Sequence, residues 1–288
     1  MSLKKYLKRG IHYVLAGEPV RNIHASIVTL APNELLKSRV ALITGGTSGI
    51  GFSIAKSFLN SGAIVIITGR NDKRIEEACI KLKSDLYEGK VYGIVLDNTK
   101  VETFETALHD ITQLTQGKRI DILVNNAGVL GGHISTTSVD EYDKIMDTNL
   151  RGVFFLCQLF GRYMKENQIK GNILNIASSS SLRPAVSAYT LSKWGIRGLT
   201  LGLARALAPY GITVNGIAPG QTATPMLLKD ASKGLATNTI LGRYALPEEI
   251  ANMAVFLVSE MGRSVVGDIV YMTGGSALLS YEDMDYSF

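Results

Sequence analysis

The stretch Val40-Ala-Leu-Ile-Thr-Gly-Gly-Thr-Ser-Gly-Ile-Gly51, continued by Phe52-Ser-Ile-Ala-Lys-Ser-Phe-Leu59, decides the fold. Val40–Ile43 is a short apolar run of the kind that forms a buried strand, and Ile50–Leu59 has helical spacing. Between them lies a turn rich in glycine. Glycine lets a backbone bend sharply and approach a pyrophosphate closely, and a helix start adds free N–H groups and a positive dipole end. The spacing here is G-x-x-x-G-x-G, not the G-x-G-x-x-G of the commonest dinucleotide fingerprint. Taken alone, the turn fits either a phosphate cradle or a purely structural bend.

The same alternation continues along the chain. Ile64–Ile67, Val91–Leu96, Ile120–Val124, Asn172–Ile176, Thr213–Ile217 and Asp268–Met272 read as strands. Asp72–Ser84, Val101–Leu114, Val139–Lys165, Ala188–Leu207 and Pro247–Ser259 read as helices. Strands that are apolar throughout and alternate with helices predict a parallel sheet covered on both faces. Right-handed crossovers then make it doubly wound, a three-layer α/β fold of the Rossmann type. Expected are a basic arm (1–38), one dinucleotide-binding and catalytic domain (39–280) and an acidic tail (281–288).

The end of the second predicted strand reads Ile67-Thr-Gly-Arg-Asn71. A Rossmann site usually carries an acid about 20 residues after the turn to hold the ribose 2′-hydroxyl. Arg70 stands there instead, and a guanidinium suits a 2′-phosphate. NADP is therefore favoured, with NAD as the alternative, and a solvated loop arginine is the bland counterpart. Further on, Tyr189 and Lys193 are spaced i, i+4 and share a helix face. A tyrosine of pKa ~10 is a poor acid–base group at neutral pH, and a neighbouring ammonium favours its phenolate.

In company these features become specific. The Thr44–Gly51 turn, Asn125-Asn126-Ala127-Gly128, Asn149 within Thr-Asn-Leu, Ser178, Tyr189-Thr-Leu-Ser-Lys193 and Pro219-Gly220 follow one another in order. From about Arg39 to Ser276 the chain resembles the short-chain dehydrogenase/reductase family, in its compact single-domain branch. It is most similar there to 3-oxoacyl-carrier-protein reductases and to sugar or polyol dehydrogenases.

The resemblance implies an enzyme that interconverts a carbonyl and a secondary alcohol. It implies that Tyr189 exchanges the proton with the substrate oxygen and that Ser178 hydrogen-bonds that oxygen. Lys193 is implied to lower the tyrosine pKa and bind the nicotinamide ribose, and Asn149 to hold a water in a proton relay. The cofactor residues implied are Gly45, Thr47, Ser48, Gly49, Ile50 and Gly51 of the turn and Arg70 at the second strand. Beyond these are Asp97 and Asn98 at the adenine, Asn126 and Gly128 after the fourth strand, and Tyr189 and Lys193 themselves. Pro219, Gly220, Thr222 and Thr224 would frame the nicotinamide. The family suggests a sheet order of 3-2-1-4-5-6-7, a substrate lid over Gln221–Arg243 and a homotetramer. The apolar Met226, Leu227 and Leu228 of that lid favour a hydrophobic or extended substrate.

Two departures matter. Ser178 lies 11 residues before Tyr189, about two fewer than is common in relatives, within Ser178-Ser179-Ser180-Ser181. Ser178 is chosen because it follows Asn175-Ile176-Ala177, with Ser180 as the fallback. Ser48 stands where many NADP-preferring relatives carry a base, so the NADP expectation rests on Arg70.

Composition bounds the rest. The chain has 288 residues, 46% of them hydrophobic and 19% charged, which excludes wholesale disorder. Its 29 glycines follow no collagen period, and no repeat of 20–50 residues suggests a solenoid. The net charge is +5, but residues 1–38 hold six bases against two acids and the remaining 250 residues are nearly balanced. The excess belongs to the arm, so it is not evidence for a basic face on the body, and no nucleic-acid partner is expected. Cys79 and Cys157 suit reduced thiols and a cytoplasmic protein. No paired-cysteine or HExxH motif appears and the four histidines lie far apart, so no metal site is expected. No run reaches the ~18 apolar residues of a membrane span, and no export signal is recognisable.

In the arm, Leu3, Leu7, Ile11 and Val14 alternate with Lys4, Lys5, Lys8 and Arg9. A basic amphipathic helix on a membrane or acidic partner competes with an arm packed on its own body or a sister subunit, and the packed arm is favoured. The alternative function is a catalytically silent NADP-binding scaffold or sensor whose arm meets that partner or surface. The bland counterparts are turn residues at Asn125 and Asn126, a packing role for Trp194 and a solvated His133.

Overall fold

Val40 and Leu42 point to one side of the sheet, Ala41 and Ile43 to the other, and both pairs are buried. Side chains alternate along a strand, so a run that is apolar at every position needs a cover on both faces. The computed structural model describes residues 32–84, 90–227 and 239–276, and the described residues fall in one compact unit. Most of the basic arm, the 228–238 part of the expected lid and the acidic tail lie outside the described residues.

Among the described residues, seven strands form one sheet: β1 (Val40–Ile43), β2 (Ile64–Gly69), β3 (Val91–Val95), β4 (Ile122–Asn125), β5 (Asn172–Ile176), β6 (Thr213–Pro219) and β7 (Ile269–Met272). The order is β3-β2-β1-β4-β5-β6-β7, and every pairing is parallel. The order reverses beside β1, which opens a crevice there at the carboxyl ends of the strands.

Among the described residues, six α-helices cover the sheet. Helices α1 (Gly49–Asn60), α2 (Asp72–Ser84) and α7 (Pro247–Val258) pack on the Ala41/Ile43 side. Helices α3 (Phe104–Leu114), α5 (Gly152–Glu166) and α6 (Ala188–Leu207) pack on the other. Leu36, ahead of the expected start at Arg39, is fully buried in the first of these cores.

Val139–Lys165, which the spacing predicts as one helix, is interrupted. It forms α4 (Val139–Met146), a π-helical turn (Asp147–Arg151) and then α5. Such π turns concentrate at functional sites because the extra residue re-aims a side chain. Here the turn holds Asn149, which is buried and bonded to the backbone of Val129.

A polar anchor fixes the amino ends of the central strands. Arg39 Nε lies 2.8 Å from Asp121 Oδ2, and Arg39 Nη2 donates to Asn172 Oδ1 at 2.6 Å. Burial pushes the Asp121 carboxyl above its usual pKa, although Arg39 pulls it down.

Candidate active site

The first elements of the site are tied together by backbone. Thr44 Oγ1, just past β1, accepts from the N–H groups of Asn126 (3.0 Å) and Ala127 (3.1 Å). Asn126 Nδ2 returns two bonds, to the carbonyls of Thr44 at 2.9 Å and Gly45 at 3.0 Å. The glycine turn and the Asn-Asn-Ala-Gly segment are thus one unit. Gly51 is required at its seam, because a β-carbon there would collide with the Asn126 amide and stand 2.5 Å from the Gly45 carbonyl.

A cleft of about 710 Å³ opens over this unit. Gly45, Thr47, Ser48, Gly49 and Ile50 line one stretch, with Arg70, Asp97 and Asn98 beyond them. Asn126, Gly128, Ser178, Tyr189, Lys193, Pro219, Gly220, Thr222 and Thr224 line the rest. Of the expected site residues only Gly51 and Asn149 stand behind the wall. The structure also brings Asn71, Arg74, Thr148 and Leu130 to the cleft, which motif reasoning missed.

Arg74 follows Arg70 at i+4 across the start of α2, a spacing visible in the sequence. Asn71 Oδ1 accepts from the Arg74 N–H at 3.0 Å and caps the amino-terminal start of α2. Both guanidiniums are exposed and form no ion pair or hydrogen bond with any described residue. Thr148 Oγ1 is buried with no partner among the described residues.

Tyr189, Ser178 and Lys193 meet at the inner end. Ser187 caps α6 by accepting from the Thr190 N–H at 3.1 Å, which seats Tyr189 in the first turn. Ser178, just past β5, lies within hydrogen-bond reach of the Tyr189 hydroxyl and accepts from the Ser180 N–H at 3.1 Å. Ser180, the fallback, does not line the cleft. Lys193 Nζ donates to the Ile176 carbonyl at 2.8 Å and lies 5.7 Å from the Tyr189 ring centre. Asn149 accepts from the Val129 N–H at 2.8 Å and donates to its carbonyl at 2.9 Å and to Ser192 Oγ at 3.2 Å.

Burial pushes the Tyr189 phenol above its usual pKa, and the Ser178 bond pulls it down. Burial also lowers the Lys193 ammonium to about 8. Desolvation disfavours both charged forms.

The chain is similar in sequence and in fold to known proteins. The family model described as short chain dehydrogenase matches residues 39–234. The 3alpha-hydroxysteroid dehydrogenase of Mediterraneibacter gnavus is 36% identical over 252 residues, covering 84% of this chain and 98% of its own. The 3-oxoacyl-(acyl-carrier-protein) reductase of Aquifex aeolicus is 34% identical over 246 residues, covering 83% and 98%. Among solved structures, a short chain dehydrogenase from Burkholderia cenocepacia in complex with NADP superposes with a TM-score of 0.74 at 30% identity, covering 83% of this chain and 98% of its own.

Proposed function

The chain belongs to the short chain dehydrogenase family, and from that premise we propose that it is an NADP-dependent oxidoreductase interconverting a carbonyl and a secondary alcohol, with Tyr189 as the general acid and base. The observation that carries the proposal is the meeting of Tyr189, Ser178 and Lys193 at the inner end of one cleft.

The cleft fits a dinucleotide. Its glycine turn presents the N-terminus of α1, and the buried Thr148 hydroxyl has no described partner. The turn residues Gly45–Ile50 would hold the pyrophosphate, Asp97 and Asn98 the adenine end, and Pro219, Gly220, Thr222 and Thr224 the nicotinamide. When bound, the nicotinamide supplies or accepts the hydride. Arg70 and Arg74 have no described partners of their own, and their guanidiniums suit a 2′-phosphate, which supports NADP over NAD.

The protein's part is proton handling and positioning. Burial keeps the Tyr189 hydroxyl protonated at neutral pH, the form a general acid needs for carbonyl reduction. Ser178 holds the substrate oxygen beside that hydroxyl as negative charge develops on it. Lys193 supports Tyr189 and the ribose, and Asn149 fixes the Val129 backbone next to them. Leu130, Met226 and Leu227 give the mouth an apolar lip, which supports a hydrophobic or extended substrate. At the described ends of the expected lid, Thr222 bridges Ala245 and Arg243 pairs with Glu249.

The test is oxidation of NADPH and NADH by the purified protein across a panel of carbonyls: a 3-oxoacyl thioester, a keto sugar, a steroid ketone and a diketone. Tyr189→Phe should lower kcat by about 10²–10⁴-fold. An activity unchanged in that variant sinks the mechanism.

Exposed Phe154 on α5 and Leu191, Trp194 and Leu201 on α6 support a homotetramer, which light scattering would read directly. Unpaired Cys79 and Cys157 support a cytoplasmic location. No described helix is long and apolar enough to cross a membrane.

A further inference from the structure

The loop 129–132 leads from the glycine-turn unit to the start of α6, and it is held at both ends from the α4–α5 region. At one end Asn149 grips both backbone groups of Val129. At the other, Glu141 Oε1, in the first turn of α4, accepts from the Gly132 N–H at 3.1 Å. The Gly132 carbonyl then accepts from the N–H of Ala188 at 2.8 Å, one residue before Tyr189. The loop thereby joins a carboxylate on α4 to the first turn of the helix that carries the tyrosine.

The loop cannot take other residues at its far end. Gly131 and Gly132 have φ of 126° and 78°. A β-carbon on Gly131 would stand 2.8 Å from Glu141 Oε1, and one on Gly132 would stand 2.8 Å from Ile145 Cδ1 and 2.9 Å from Ala188 Cβ. The backbone is thus pressed directly between α4 and α6, where glycine alone fits. Leu130, between the two grips, faces the cleft. A charged acceptor makes the stronger kind of hydrogen bond to a backbone N–H.

We propose that Glu141 is a positioning residue: through Gly132 it sets where the first turn of α6 stands, and so where Tyr189 and Leu130 meet the substrate. Glu141 touches no reacting atom. Its acidic position in the first turn of α4 also suits the helix dipole, but that role needs no contact with Gly132. The inference rests on the reading of Tyr189 as general acid, and the test separates the two.

Glu141→Ala removes the acceptor, and Glu141→Gln keeps an oxygen in its place. Hydrogen exchange followed by mass spectrometry on segments 129–134 and 186–193 needs no substrate. In Glu141→Ala these amides should exchange about tenfold faster, while Glu141→Gln stays near wild type. With a carbonyl that the wild type reduces, Glu141→Ala should lose about tenfold in kcat with the cofactor KM unchanged. In a Tyr189→Phe background the same change should add no further loss.

Unchanged exchange in Glu141→Ala overturns the proposal. So does equal damage by Ala and Gln, which would point to charge at the helix start. Faster exchange with unchanged kcat overturns the positioning role, as does a full additional loss in the Tyr189→Phe background. If the wild type reduces no carbonyl, the oxidoreductase reading fails and the positioning of Tyr189 for catalysis falls with it, while the exchange comparison still decides whether Glu141 holds the loop.

Discussion

Lys193 makes the folded protein's stability depend on pH in a way that can be calculated. The residue is 5% exposed, and burial lowers its pKa from 10.5 to about 8. Below pH 8 the ammonium is present in both folded and unfolded chains, and the folded state carries the full desolvation penalty. Between about 8 and 10.5 the unfolded chain binds more protons than the folded one, so stability rises with pH across that window. At about 1.4 kcal/mol per pKa unit the rise amounts to about 3 kcal/mol. The bond from Nζ to the Ile176 carbonyl does not cancel it, because a neutral amine still donates. Lys193→Met keeps an unbranched stem and removes the titration. Urea unfolding of both proteins without cofactor, at about pH 7 and pH 10.5, gives the difference in stability at each pH. Groups that titrate in both proteins cancel from that difference. Wild-type stability relative to Lys193→Met should climb by about 3 kcal/mol from the lower to the higher pH. A flat difference, within about 0.5 kcal/mol, would refute the claim that the ammonium is desolvated where it stands.

Other perturbations follow from the same geometry. Gly51→Ala forces the Asn126 amide off the Thr44 and Gly45 carbonyls, so stability should fall by about 1–3 kcal/mol. NADPH affinity, read by fluorescence titration, should fall more than about tenfold in the same variant. Arg39→Ala strips the partner from a carboxylate that burial already disfavours, and urea unfolding should show a loss of about 2 kcal/mol. Replacing both Arg70 and Arg74 with Gln should raise the NADPH KM at least about tenfold and leave NADH kinetics nearly unchanged; equal effects on both cofactors would remove the 2′-phosphate argument. The bond to Arg243 holds the Glu249 carboxyl down at about 2, so its contribution is present above the usual carboxylate range and is lost as pH falls through about 2. Protease sensitivity near residues 239–246 should therefore stay constant between pH 5 and 8 and increase in Glu249→Gln.

Much of the molecule was legible in the linear chain because its signals are local. Val40–Ile43 is apolar at every position, and Asp72–Ser84 keeps its helical period, so strand and helix declare themselves within a few residues. The parallel sheet and its order follow from that alternation and the resemblance together. Tyr189 and Lys193 share a face through a spacing of four. Arg70 is conspicuous because it stands where an acid is usual.

What remained hidden depends on residues far apart in sequence. The π turn at Asp147–Arg151 accompanies an Asn149 bonded to Val129, 20 residues earlier. Arg74 reaches the cleft only because α2 starts beside it. Glu141 is an acid in a first helical turn, and only the fold brings the Gly132 N–H to it. The chain alone settled which residue types stand at which local positions, and hence the fold class and most of the candidate site. Only the tertiary structure decided their environment, including the raised pKa of Tyr189 and the lowered pKa of Lys193. Desolvation is set by everything packed around a group, and no short stretch of sequence contains that information.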